Sequence, residues 1–220
     1  MVNFSKALIT RIVLFLIALF FMGLGIGLIT RANLGTSPIS SVPYILSLII
    51  PLTFGELTFL FSIFCLLVEI IILKKEFPKE QYLQVLVGPF FGCFTDFGMY
   101  VFSFLRLNSY IDQVFALIVG CAILALGVYL QVVANVIINP GEGVVKVIAN
   151  KIGKEFGNVK VMFDFSLVII GVIISLCAFG TIKGLREGTI ISAILVGPIT
   201  KIYKSIFEFC SYKQKTEKFL

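Results

Sequence analysis

A chain of 220 residues that is 59% hydrophobic and 14% charged, with a mean hydropathy of +1.07, cannot hide its apolar surface inside itself. The surplus must face lipid, which excludes a water-soluble domain. The net charge of +6 comes without a basic face interleaved with exposed aromatics, so no nucleic-acid partner is expected.

Six apolar runs follow one another along the chain: Ala7–Thr30, Leu57–Leu73, Leu83–Leu105, Val114–Ile138, Val161–Phe179 and Ile190–Phe207. Each approaches the roughly 20 residues that a hydrocarbon core about 30 Å thick requires, which predicts six transmembrane helices. The first run is too long for a signal-peptide core and has no small-x-small cleavage site. Its glycines, Gly23, Gly25 and Gly27, would let another helix approach closely. Arg31 ends the span, placed either to snorkel to the interface or to point toward the loop that follows.

That loop holds Ala32-Asn33-Leu34-Gly35-Thr36-Ser37-Pro38, and a second version, Ala134-Asn135-Val136-Ile137-Ile138-Asn139-Pro140, comes 102 residues later. Sliding 24–64 onto 126–166 without a gap gives eleven identities in 41 positions, and Leu86-Val87-Gly88-Pro89 recurs as Leu195-Val196-Gly197-Pro198. In each copy a capping residue, Ser37 or Asn139, precedes a proline that can open a helix. The first short helix is expected over Ile39–Ile50, stopped by Pro51, and the second over 140–152. At about 1.5 Å per residue neither can span, and both suit half-helices. Glu142, at the third helical position after Asn139, suggests a relative of the capping box.

Orientation follows from the cations. With six spans and the short segments not crossing, fourteen Lys and Arg fall on the side of the N-terminus and four on the other. The positive-inside rule then puts both termini in the cytoplasm. Three crossings per half is an odd number, so the second half would enter from the opposite face, as in the inverted repeats of many transporters. The expectation is a single all-α membrane domain, 1–220, with repeat halves 1–110 and 111–220: six transmembrane helices, two half-helices and two inverted repeats of three spans each. Its partners would be the lipid bilayer and a small solute, and a homo-oligomer is compatible with this reading.

Converging half-helix ends would present free N–H groups to an anion or to the carboxylate of a zwitterion. The candidate solute-binding residues are therefore Asn33, Ser37, Pro38, Asn135, Asn139, Pro140 and Glu142. Gln131 joins them because it lies one turn before Asn135. The intramembrane charges Asp96, Asp164 and Arg31 are candidates for coupling, since an unpaired carboxylate at membrane depth is costly. Glu69, one turn from Lys74, reads as an interfacial ion pair. There is no histidine, no C-x-x-C among the five cysteines and no phosphate-binding loop, so no catalytic residue, metal or cofactor is expected.

The run Arg31-Ala-Asn-Leu-Gly-Thr-Ser-Pro-Ile-Ser-Ser-Val-Pro-Tyr44 resembles the signature of the YczE/YitT-like family of bacterial integral membrane proteins. Asn139-Pro-Gly-Glu-Gly143 and Gly184-Leu-Arg-Glu-Gly-Thr189 are similar to its second-half blocks, although the commoner form of the former is Gly-Pro-Arg-Asp-Gly. The resemblance implies a multi-pass protein of the bacterial plasma membrane. Three functions compete: a transporter or channel for a small anionic or zwitterionic solute, a membrane-embedded accessory or assembly partner, and an enzyme acting on lipid. The absent histidine and nucleophile motif weigh against the last. The charge count also yields a test. A cysteine placed in the Lys74–Lys79 loop is expected to resist labelling from outside intact cells, and outside labelling there would reverse the topology.

Overall fold

The computed structural model describes residues 6–217. In chain order its helices are α1 (Lys6–Arg31), α2 (Ser41–Ser47), α3 (Phe54–Leu73), α4 (Gln84–Val101), α5 (Tyr110–Ala134), α6 (Pro140–Ile152), α7 (Phe156–Phe179) and α8 (Glu187–Glu217). No strand occurs among the described residues. Helices α1, α3, α4, α5, α7 and α8 are long and apolar enough to cross a membrane, and α2 and α6 are not. The chain is an all-α, multi-pass membrane protein.

The repeated Ala-Asn pair turns out to be a helix stop. Asn33 and Asn135 sit just past the ends of α1 and α5 with φ of 59° and 47°, and the Asn135 N–H closes on the Gln131 carbonyl at 3.2 Å. Asparagine tolerates this left-handed backbone better than other non-glycine residues do. For the same reason α5 ends at Ala134, although the apolar run continues to Ile138.

The first short helix is shorter than expected. A 3-10 turn at Pro38–Ser40 leads into α2, which ends at Ser47 rather than Ile50. The Ser47 hydroxyl donates to the Tyr44 carbonyl at 2.6 Å, and Pro51 disfavours helical backbone at the residue before it. Helix α6 covers the expected 140–152 and stops at left-handed Gly153. The expected capping box there is not formed. Asn139 Oδ1 does accept from the Gly141 N–H at 3.3 Å, but Glu142 turns away to Gln131. The capping box of this chain lies instead at Thr53–Glu56, before α3. Its Thr-x-x-Glu spacing stands openly in the sequence.

At the centre α1 crosses α5. A Cβ on Gly25 would lie 2.5 Å from the Leu124 backbone, and one on Gly127 would lie 2.6 Å from Met22 Cγ. These are reciprocal contacts, because Gly25 corresponds to Gly127 and Met22 to Leu124 at the offset of 102. The surrounding interfaces repeat in the same way. Helix α4 packs on α1 as α8 packs on α5, α6 on α3 as α2 on α7, and α2 on α3 as α6 on α7. One interface breaks the pattern, for the close packing of α3 on α4 has no equivalent of similar extent between α7 and α8. Gly55 meets Gly92 and Asp96, and Gly88 meets Phe59, whereas their counterparts Gly157 and Gly197 have nothing within 4 Å.

Two charges play parts that the sequence reading did not foresee. Asp96 accepts from the Thr53 hydroxyl at 2.6 Å and from the Gly55 N–H at 2.7 Å. It thereby caps the start of α3 and ties α4 to it. Glu69 makes no ion pair with Lys74, and it lies buried beside Gln84. Removing the Asp96 carboxylate strands an N–H at the positive end of a helix. Asp96→Ala is therefore expected to cost about 1–3 kcal/mol of stability, with Asp96→Asn intermediate. Thermal unfolding in detergent measures it, and an unchanged midpoint for Asp96→Ala would refute the capping role.

Candidate solute-binding cavity

A cavity of about 450 Å³ lies among the Pro38 turn and helices α1 to α8. That falls within the range of about 300–1,000 Å³ usual for small-molecule sites. Its lining follows the internal correspondence. Met22 and Ile26 from α1 face it with Leu124 and Val128 from α5, and Phe91 from α4 faces it with Thr200 from α8. Polar positions pair likewise: Ser37 with Asn139, Ser40 with Glu142, Thr58 with Lys160, and Ser62 with Asp164. The first half supplies hydroxyls at these places. At the equivalent places the second half supplies an amide, two carboxylates and an ammonium.

Each polar group has an identifiable support. Ser37 donates to Ser40 Oγ at 2.9 Å, so the two hydroxyls at the start of the first short helix bond to each other. Thr58 and Ser62 lie one turn apart on α3 and donate to the carbonyls of Phe54 and Thr58 at 2.8 and 2.9 Å. Their second lone pairs stay available to a solute. Lys160 donates to both carboxylate oxygens of Asp164, at 2.5 and 2.7 Å, along one turn of α7. Glu142 accepts from Gln131 Nε2 at 2.9 Å, while Gln131 Oε1 has no partner. Burial pushes the Glu142 carboxyl above its usual range, opposed by Lys160 and by the Gln131 bond. Lys201 of α8 also borders the cavity, and it has no ion-pair partner among the described residues.

Of the candidate residues, Ser37, Pro38, Asn139, Glu142 and Asp164 line this space. Gln131 supports it through Glu142. Asn33, Asn135 and Pro140 do not line it, the first two because they terminate α1 and α5 and Pro140 because it opens α6. Asp96 lies at the cap of α3. Arg31 is exposed and donates through Nε to the Met99 carbonyl at 2.9 Å.

The sequence reading missed Thr58, Ser62, Lys160, Ser192, Thr200 and Lys201 as lining residues. One signal could have found three of them, since Thr58/Lys160 and Ser62/Asp164 are among the repeat positions at which polar residues fall on both sides. It also missed a polar clasp. The Gly188 N–H donates to the Leu34 carbonyl at 2.8 Å, Arg186 Nη1 to the Asn33 carbonyl at 3.0 Å, and the Thr36 N–H to Thr189 Oγ1 at 3.2 Å. The Gly184–Thr189 block and the loop before Pro38 therefore form one unit at the start of α8.

The chain belongs to a family of unknown function (DUF6198), whose model matches residues 9–205. No curated protein and no solved structure matches it.

Proposed function

We propose that this protein is a transporter of a small zwitterionic solute, built from two inverted repeats in a bacterial plasma membrane with both termini cytoplasmic. The observation that carries the reading is the convergence of equivalent residues from both halves on one cavity, hydroxyl-bearing in the first half and charged in the second. The resemblance of Arg31–Tyr44 to the YczE/YitT-like signature supports the bacterial membrane setting. Irregular backbone before Pro38 and Pro140 is tolerated at membrane depth where protein or a wet cavity surrounds it, which fits α2 and α6 as re-entrant half-helices.

The charges narrow the solute. Helix α2 has only seven residues and so contributes little dipole. The start of α6 carries Glu142, whose carboxylate borders the cavity and is bonded to Gln131, so a second anion beside it is disfavoured. An ammonium group suits Glu142, and a carboxylate suits Lys201 or Lys160. A purely anionic solute would meet the Glu142 carboxylate, which is bonded only by the neutral Gln131 amide, whereas Asp164 is already paired with Lys160. The role is binding and passage, with no catalytic group assigned.

A second reading, a membrane-embedded assembly partner without transport, has one observation in its favour. Helices α7 and α8 expose long apolar residues, among them Val161, Met162, Phe165, Ile190 and Ile194, and do not close on each other.

Thermal-shift and calorimetric binding with amino acids, betaines, amines and simple carboxylates separates these readings. Binding of ammonium-bearing zwitterions is expected, weakened at least about tenfold in Glu142→Gln. Burial holds the Glu142 carboxyl above the ordinary range, so binding that needs its charge should fall as pH drops through that raised value. Glu142→Gln should flatten this dependence. Binding of simple carboxylates alone would replace the zwitterion with an anion, and no binding across the panel would favour the assembly partner.

A further inference from the structure

Glu69 lies outside the cavity, in the last part of α3, and only 2% of it is exposed. Its sole polar contact is with Gln84 Nε2, 3.4 Å from Oε2, and its other oxygen has no partner. Gln84 is itself 1% exposed. Its amide nitrogen is shared with Gln81 Oε1 at 2.7 Å, and its own oxygen is also unpartnered. Two acceptor oxygens in touching side chains are thus left without a donor.

A buried carboxylate needs short, charge-assisted bonds of about 2.7–2.9 Å or an adjacent cation. Neither is present. The titratable groups on α3 and the elements packed against it are Glu56 and Cys65 on α3, Lys74, Lys75 and Glu76 in the next turn, Tyr44 on α2, Cys93, Asp96 and Tyr100 on α4, and Glu142, Lys146 and Lys151 on α6. None of the lysines is within ion-pair distance of Glu69. A single long bond from a neutral amide fits a carboxylic acid rather than its anion.

The remaining wall is α6. Gly143 lies against Glu69 so closely that a Cβ there would overlap Oε1. Gly143 is also the neighbour of Glu142, which faces the cavity. Ionised, Oε1 would demand water or a cation, and the α6 backbone leaves room for neither until it moves away.

We propose that Glu69 is a proton-carrying site whose protonated form seats α6 against α3, so that loss of the proton and displacement of Glu142 go together. It rests on the transporter reading only for what the proton drives. The bond that changes is O–H at Glu69, with the proton passing to water once α6 lifts.

Infrared spectroscopy of the full chain in lipid nanodiscs tests the first part. The expected result is a carboxylic-acid C=O band at pH 7 that is lost in Glu69→Gln. Above its midpoint the band should fall about tenfold per pH unit. Gln84→Leu should shift its frequency by removing the amide contact, which provides a second readout if Glu69→Gln folds poorly. Hydrogen exchange of residues 139–145 tests the second part. It should accelerate with pH beyond the intrinsic rate in the native chain and not in Glu69→Gln. A band unchanged in both variants would overturn the proton site, as would a band that shifts when sodium replaces potassium. Exchange in α6 that ignores Glu69 would overturn the coupling. Neither readout needs a solute, so failure here leaves the binding panel standing, and failure of that panel leaves the proton site standing.

Discussion

The crossing of α1 and α5 is the constraint on which the rest of the molecule depends. In lipid there is no hydrophobic force between apolar helices, so association rests on close packing and polar contacts. Gly25 against Leu124 and Gly127 against Met22 let the two backbones approach as only small residues allow. Once that pair is fixed, α4 and α8 fill equivalent grooves on either side. The two short helices are then brought to the flanks of α3 and α7, where their polar starts meet protein instead of lipid.

Around that centre the two halves keep the same skeleton and differ in chemistry. Hydroxyls that bond back to their own helix in the first half correspond to an ion pair and an amide-supported carboxylate in the second. A solute held between them would exchange few hydrogen bonds on one side and strong electrostatic contacts on the other. The halves also differ in closure. Gly55 and Gly88 are filled by their neighbours, while Gly157 and Gly197 face open space, so the charged wall is also the looser one.

Much of this was legible in the sequence. Length and composition sufficed for six spans, and the proline-opened second short helix was placed to the residue. The first was overrun because Ile49 and Ile50 read as helical until the effect of Pro51 on its predecessor is weighed. The repetition of Asn33 and Asn135 marks left-handed helix stops that do not line the cavity, and in one dimension such a stop and a ligand look alike. Asp96 and Glu69 exchanged expectations. In a helix that is apolar all round, periodicity does not tell which face meets lipid and which meets protein, so neither the Thr53–Asp96 cap nor the Glu69–Gly143 contact could be read without coordinates. The Arg186–Asn33 and Thr36–Thr189 contacts join residues 153 positions apart, a separation that no local pattern encodes.

That clasp gives α8 the mechanics of a lever. Its first turn is pinned to the loop between α1 and α2, while farther along it is held to α5 by weaker contacts such as the 3.4 Å approach of Thr200 Oγ1 to the Ala125 carbonyl. Any swing of α8 must pivot about Gly188 and Thr189, and displacement grows with distance from a pivot. Ser192, less than a turn away, would hardly stir. Lys201 lies about 18 Å along the axis at 1.5 Å per residue and would travel farther than the other α8 residues that line the cavity. A small angular change at the clasp would therefore widen or narrow the gap beside α7 where the cavity carries its charge.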